Sequence, residues 1–436
     1  MAITRTALFR LYDLAWGPAL FFLRRNRRLR HGWGQRVQQA PYPGPCDLWI
    51  QAASVGESQL TGELLRRLPL PQGQPDALPL RILLTTNTAE GMDRLDALVT
   101  ELRPLRPELR LHTAYFPLDR PRLMRRALDR VRPRTVVLLE SEMWPGFMAA
   151  CRDQDVRLLV VNGRMSERSL RGYLKFHFFF KSIAPDKILA MSEADGARFA
   201  TLYGHGRVEL MQNIKFDRVP RPGDARPGDA GDNPGPVAPL LPGQQPFVVL
   251  ASVREEEEPE VLTLLCGLLA ARPECVPGLF PRHIQRVAAW SELLSGAGIP
   301  HVLRSRATGP VRPGTVLLWD RIGEMERAFP HASAAFVGGS LAPLGGQNFL
   351  EPLASGLIPV IGPHWKNFAW VGEEILQAGL VRKTPDTAAA LAELLLLLEA
   401  PPDREAVRVR FQAYVSERRG GTTTACMHIA HSLKRR

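Results

Sequence analysis

Short apolar runs alternate along most of the chain with stretches whose apolar positions recur every three or four residues. Residues 48–52, 82–85, 136–139, 158–161 and 187–191 read as buried strands, and 60–68, 94–102 and 122–131 carry helical spacing. Strand and helix alternating at this length predict a parallel sheet with helices on both faces. From 217 to 245 the pattern stops, and RPGDARPGDAGDNPGP marks a Pro/Gly-rich linker. A second series follows. Residues 247–251, Leu279, 316–319, 334–337 and 358–361 read as strands, and 374–379 and 387–398 as helices. The expectation is an α/β chain of two doubly wound domains facing a central cleft, with ligands beyond the carboxyl ends of the strands. The boundaries fall at 1–30 for an N-terminal helix and basic cluster, 31–216, the linker 217–245, and 246–436.

The N-terminal segment departs from this pattern. Leu8, Phe9, Leu11, Tyr12, Trp16, Leu20, Phe21, Phe22 and Leu23 make it apolar and aromatic, while Arg5, Arg10 and Asp13 interrupt it. The clean run 14–23 is too short to span a bilayer, and no small-residue cleavage site follows it. Arg24, Arg25, Arg27, Arg28 and Arg30 come directly after. An apolar helix followed by a basic cluster fits a segment held at an anionic membrane surface.

Composition narrows the class. With 436 residues, 45% hydrophobic and 23% charged, the chain matches a globular protein and not a disordered or multi-span one. Its 56 basic and 44 acidic residues leave a net charge of +12, which favours anionic partners. No nucleic-acid recognition motif accompanies that charge, so nucleic acid is not expected. Five scattered cysteines without a CxxC pair argue against a disulfide framework or a structural zinc site. No histidine has metal-ligand spacing, so no metal is expected.

Candidate chemistry clusters where strands end. In QAASVGES, residues 51–58, Gly56 permits close approach and Glu57 opens a helix. A first-turn carboxylate suits the helix dipole and suits a general base equally well. In LLESEMWPG, Glu140 ends a strand of Val and Leu, with Glu142 two residues on. NGRMSERS, residues 162–169, has the polar density of a loop lining a site. NIKFD carries Lys215, one of seven lysines in the chain, where an ammonium would neutralise a phosphate or carboxylate; taken by itself, an ordinary surface lysine explains it better. The stretch LRGYLKFHFFFK, 170–181, reads as a lipid or acceptor contact or as a buried helix face. In the second half, PRH offers Arg282 as an anion ligand, and IGEM starts a helix. FVGGSLAPLGGQNFLEPLASG, 336–356, brackets a loop with two double glycines before Asn348 and Glu351. Its backbone amides would cradle phosphate, and a helix-borne carboxylate would take ribose hydroxyls. The run at 254–258 reads as a solvated helix start.

Taken in order, ASVGE, ESEMWP, NGRMSERS, NIKFD, ASVREEEE, PRH, IGEM and GGSLAPLGGQNFLEP resemble the bacterial 3-deoxy-D-manno-octulosonic acid (Kdo) transferases over nearly the whole chain. The resemblance implies a GT-B type glycosyltransferase with two Rossmann-like halves. It further implies a metal-independent inverting transfer of Kdo from CMP-Kdo to a lipid A precursor, at the cytoplasmic face of the inner membrane. CMP-Kdo is then a substrate and no cofactor is implied. By the same resemblance Glu57 is the general base, and Glu140 and Lys215 stabilise the transition state. Pro281, Arg282, Ile322, Gly323, Glu324, Asn348, Phe349, Leu350 and Glu351 match its CMP-binding stretches.

The chain departs from the family pattern at Gln51, Gln212, Gln347 and Phe349, where His, Gly, His and Pro are usual, and in DRIGE for DTMGE. A transferase using another nucleotide sugar or lipid acceptor would share this fold. A catalytically idle relative that binds lipopolysaccharide precursors would also share it, but the retained Glu57 and paired-glycine loop argue against idleness.

Overall fold

The computed structural model describes residues 5–69, 78–141, 143–221, 237–241, 243 and 245–434, with the side chains of 5–8, 27 and 28 left aside. The chain forms two units, Met1–Arg218 with Arg418–Arg436, and Val219–Glu417.

Seven parallel strands build the first unit: β1 (Leu48–Gln51), β2 (Leu80–Thr86), β3 (Leu109–Tyr115), β4 (Thr135–Leu139), β5 (Arg157–Gly163), β6 (Lys187–Ala190) and β7 (Val208–Leu210). Their order is β3-β2-β1-β4-β5-β6-β7. The direction of winding therefore reverses between β1 and β4, which is where an open α/β sheet leaves a crevice at its carboxyl end. The central strands are apolar at nearly every position because helices cover both faces. Alternate residues go to opposite cores: Trp49, Val136 and Leu138 to one, Leu48, Ile50, Val137 and Leu139 to the other. β3 lay outside the sequence expectation because it is an edge strand whose Arg110 and His112 interrupt the apolar pattern.

The second unit repeats the plan with β8 (Phe247–Val253), β9 (Val276–Pro281), β10 (His301–Leu303), β11 (Val316–Leu318), β12 (Ala334–Val337), β13 (Pro359–Ile361) and β14 (Arg382–Lys383). The order β10-β11-β9-β8-β12-β13-β14 puts its switch between β8 and β12.

Three expected boundaries shift. The last helix, Gly421–Leu433, does not belong with the second half. Its Ala425, Cys426, Ile429 and Leu433 fill the first unit's core beside Leu64 and Val137, and Thr135 Oγ1 donates to the Ser432 carbonyl at 3.1 Å. At the other end of the linker, Asp217 is part of the first unit, because its carboxylate accepts from the amides of Gly420 (2.8 Å) and Thr422 (2.7 Å) and caps that last helix. Residues 222–236, 242 and 244 of the linker lie outside the described residues. Val237 and Leu240 are buried in the second unit, where Leu240 accepts a backbone bond from Val311 at 2.8 Å.

The N-terminal helix Arg5–Leu23 is docked on the first unit and is not a separate body. Phe9 meets Phe179 with ring centroids 4.8 Å apart, Tyr12 donates to Asp119 at 2.9 Å, and Asp13 pairs with Arg120 and Arg122. Leu11, Leu14, Phe21 and Phe22 remain exposed. Among the described residues, no helix is long and apolar enough to cross a membrane.

Candidate functional site

Ser54 ends the turn after β1 and N-caps the helix Val55–Arg67. Glu57 sits at the third position of that helix and closes a capping box. Its Oε2 accepts from the amides of Ala53 and Ser54, and its own amide donates to Ser54 Oγ. The dipole explanation of Glu57 is thus realised in the geometry. The carboxylate is nevertheless anchored at the carboxyl end of β1, beside the switch point, with its orientation fixed by two main-chain donors. Just before it, a Cβ on Gly56 would meet only Ser54 Oγ at 3.8 Å, so the fold itself leaves open space there.

On the other side of the switch point, Glu140 follows β4 in a left-handed conformation (φ 53°) that turns its side chain back over the strand ends. The carboxyl is only 4% exposed and lies between two cations, Lys215 Nζ at 2.7 Å and Arg164 Nη2 at 3.0 Å. Three segments distant in sequence converge to build this cluster. Asn162, also left-handed (φ 56°), accepts from the Ile214 amide at 3.0 Å and ties the end of β5 to the short helix Ile214–Asp217. Asn213 N-caps that helix through the Lys215 amide at 3.0 Å. Asp217, one turn on, holds the last helix, so Lys215 stands on a turn braced from both ends. Arg164 follows β5 directly, and its neighbour Met165 is held through its amide by Asp195 at 2.8 Å.

The structure therefore brings Glu140 and Lys215 together and adds Arg164, which the spacing of NGRMSERS alone did not single out. Two cations flank one buried carboxylate, and Arg164 is about half exposed, so its guanidinium faces solvent at the strand ends. This arrangement suits an anionic substrate group or a departing phosphate. Glu142 lies outside the described residues.

Behind the cluster, Asp119 caps the helix Pro145–Asp153 that ends the ESEMWP loop. It accepts from the amides of Gly146 and Phe147, both at 2.8 Å, and from Tyr12. Complete burial pushes its carboxyl up to about 7, against the smaller opposing effect of these donors.

The second unit holds a cavity of about 310 Å³ lined by Pro281, Arg282, Ile322 and Gly323 together with Ser252, Phe280 and Trp319. Phe280 and Trp319 stack at 4.1 Å and 19° and give it an aromatic wall, while Arg282 is exposed at its mouth. The volume falls in the range of small-ligand sites. Glu324 does not line it. Its Oε2 accepts from Trp319 Nε1 at 3.0 Å and Arg304 Nε at 2.9 Å, so it fixes the tryptophan that does.

Asn348, Phe349, Leu350 and Glu351 also lie outside that lining. Asn348 Nδ2 donates to Glu351 Oε1 at 2.7 Å at the start of the helix Leu350–Ala354. Phe349 is buried against Trp365 and Phe368, and Leu350 is nearly buried, so any contact they make with a ligand comes from the main chain.

The glycine loop differs from expectation. The amides of Gly339, Ser340 and Leu341 all donate to the Glu257 carboxylate. Those of Gly346 and Gln347 donate to the carbonyls of Gly339 and Gly338. These amides are already engaged within the chain and form no open phosphate cradle. Residues 254–258 do start a helix, with Glu255 and Glu256 exposed, but the run is not solvated throughout. Glu257 is fully buried, and Glu258 is buried against Arg286 at 2.6 Å. Among the described residues, no three His, Cys, Asp or Glu side chains gather as metal ligands.

Two doubly wound units, one with a charged cluster at its switch point and one with an aromatic-walled cavity, give the chain the GT-B fold. A glycosyltransferase from Rickettsia africae shares the fold with a TM-score of 0.54, at 11% identity over 90% of this chain and 99% of that one. The sequence then narrows the class. The family model of the 3-deoxy-D-manno-octulosonic-acid transferases (kdotransferases) matches residues 26–218. A 3-deoxy-D-manno-octulosonic acid transferase from Bordetella pertussis is 33% identical over 95% of both chains. Another from Haemophilus influenzae is 29% identical over 87% of this chain and 86% of its own. The chain belongs to the Kdo transferase family.

Proposed function

We propose that the protein transfers Kdo from CMP-Kdo to a lipid A precursor with inversion, in lipopolysaccharide biosynthesis. The observation that carries this reading is the Glu140–Lys215–Arg164 cluster after β4, with Glu57 on the helix after the neighbouring β1 at the first sheet's switch point, in a member of the Kdo transferase family. Glu57 takes the proton of the acceptor hydroxyl as its oxygen bonds to the anomeric carbon of Kdo. The bond from that carbon to the CMP phosphate oxygen breaks, and CMP leaves with the electron pair. Lys215 and Arg164 stabilise the negative charge that develops, and Glu140 holds Lys215 in place. The cavity beside Phe280, Arg282 and Trp319 takes the cytidine nucleotide, with Asn348 and Glu351 as further contacts. In line with the family resemblance, the reaction needs no metal.

The acceptor is a lipid, and we place the enzyme on the cytoplasmic face of the inner membrane. Support comes from the exposed Leu11, Leu14, Phe21 and Phe22 of the first helix, with Arg24 and Arg25 following them. The sequence 170–181 adds exposed Phe176 and Phe178 next to the Phe9–Phe179 contact, whereas its Phe180 is buried.

Mass spectrometry of a lipid A precursor incubated with the protein and freshly generated CMP-Kdo tests the reading. A mass gain in whole Kdo increments, unchanged by a chelator, supports it. No gain from the folded protein, or a gain of a different sugar, overturns it.

A further inference from the structure

In the second unit, Glu257 follows β8 and the glycine loop follows β12, so the two flank that sheet's switch point. Glu257 is fully buried and forms no ion pair among the described residues, and such a carboxylate needs several hydrogen bonds to be tolerated. Glu257 has them from both sides. Oε1 accepts from the Arg254 amide at 3.0 Å and from Gly339, and Oε2 accepts from Ser340 at 3.1 Å and Leu341 at 3.2 Å. Successive main-chain amides converging on one carboxylate are the geometry by which a protein loop binds a free anion. Here the anion is part of the chain. Gly339 adopts φ +66° to turn its amide inward, and a Cβ on Gly338 would fall 2.5 Å from Glu257 Oε1 and 3.0 Å from the Ser252 carbonyl.

Through the Arg254 amide the same side chain is tied to the segment that ends β8 and borders the cavity. Ser252, a left-handed residue (φ 54°), lines the cavity, and Val253 accepts the Arg282 amide at 2.7 Å. Gly338 donates in turn to Ala251 at 2.8 Å. Glu257 thus ties the loop after β12 to Arg254, next to Val253, whose carbonyl holds the Arg282 amide.

We propose that Glu257 is a positioning residue for the nucleotide: a resident anion that fills the amide nest of residues 339–341 and thereby fixes the wall carrying Ser252 and Arg282. It touches no substrate in this account, and the proposal rests on the reading of the cavity as the nucleotide site. An external anion would then substitute for it, which a purely space-filling core residue would not allow.

The experiment measures CMP binding by calorimetry, and thermal unfolding, for the full chain in detergent and for Glu257→Ala and Glu257→Gln. Removing the carboxylate weakens CMP binding roughly tenfold or more, as misplacement of a site wall by about 1 Å does. Sodium formate restores much of the affinity of Glu257→Ala and raises its unfolding temperature, while sodium chloride at equal ionic strength does neither. Glu257→Gln, which keeps one acceptor and turns an NH₂ toward amide donors, lies between. Wild-type affinity in Glu257→Ala, or a loss that formate leaves unchanged, would overturn the proposal. If Glu257→Ala does not fold, wild-type CMP affinity in Glu257→Gln overturns it and weakened affinity supports it. A wild-type chain that fails to bind CMP counts against the nucleotide reading instead. The formate-dependent shift of Glu257→Ala then still decides whether its carboxylate is a resident anion.

Discussion

Lys215 places its ammonium 2.7 Å from the Glu140 carboxylate, although the two residues are 75 positions apart and neither is on a long element. Glu140 is buried and reaches its partner only because its backbone turns left-handed at the end of β4. Lys215 reaches it because Asn162, Asn213 and Asp217 all act on one helical turn. That outlay of strain and hydrogen bonds goes well beyond what a structural ion pair requires, since apolar residues packed in its place would serve stability as well or better.

Lys215→Met therefore leaves Glu140 buried with Arg164 as its remaining cation. We expect a loss of about 3 kcal/mol in stability, the cost of breaking a buried pair from one side. Adding Glu140→Gln recovers most of it, and neither variant transfers sugar. Denaturant unfolding and product mass spectrometry on the single and double variants check both statements. A double variant as unstable as the single one would remove the pairing argument.

Glu57 carries two roles that one substitution separates. Glutamine keeps an oxygen for the amides of Ala53 and Ser54, so the capping box survives and Glu57→Gln unfolds within about 1 kcal/mol of wild type. It cannot take a proton, so the rate falls roughly 10²–10⁴-fold, the usual worth of a general base. Glu57→Gln with near-normal turnover would leave Glu57 as a helix cap only.

Asp119 makes stability depend on pH. Burial raises its folded-state pKa from 3.8 to about 7, so the native protein holds a proton that the unfolded chain has already released. The stabilisation is complete below about pH 4 and is lost as pH rises through about 7, by up to ~4 kcal/mol at 1.36 kcal/mol per unit. Asp119→Asn flattens this dependence. Tyr12→Phe removes a donor that favours the charged form and moves the upper limb to higher pH. Unfolding midpoints measured from pH 4 to 8 show whether the slope follows Asp119.

Much of this candidate site was legible in the sequence because buried parallel strands announce themselves as apolar runs, and the polar residues that follow them, Glu57, Glu140 and Arg282, stand out against those runs. Lys215 was visible only by rarity and resemblance, since nothing local shows that 213–217 folds back onto β5. Glu257 was read as solvated because four consecutive glutamates look like a surface run, and only the fold shows that one of them faces a loop 82 residues away. The last helix was assigned to the wrong unit for the same reason: its apolar face fits either core, and the Asp217 cap that decides the matter is a long-range contact. Phe349 looked like a substitution in a binding motif, yet it fills an aromatic core position beside Trp365.

The exposed aromatics make the membrane reading measurable. Phe22 is 69% exposed and Phe178 is 89% exposed, which in a purely aqueous protein is unfavourable surface. Moving a Phe side chain out of water is worth roughly 1.5–3 kcal/mol. Phe22→Ser and Phe178→Ser should each lower partition onto vesicles containing anionic lipid by about tenfold or more. Raising the salt should weaken binding further, because Arg24 and Arg25 act through a screened surface potential. Neither residue touches Glu57, Glu140 or Lys215, so transfer to a short-chain, detergent-dispersed acceptor should stay at the wild-type rate while transfer to acceptor embedded in vesicles falls. Equal losses on both acceptors would mean that these aromatics support the fold or the acceptor site, and the lipid-surface reading would fall. Unchanged vesicle binding when Phe22→Ser and Phe178→Ser are combined would place the attachment elsewhere on the chain.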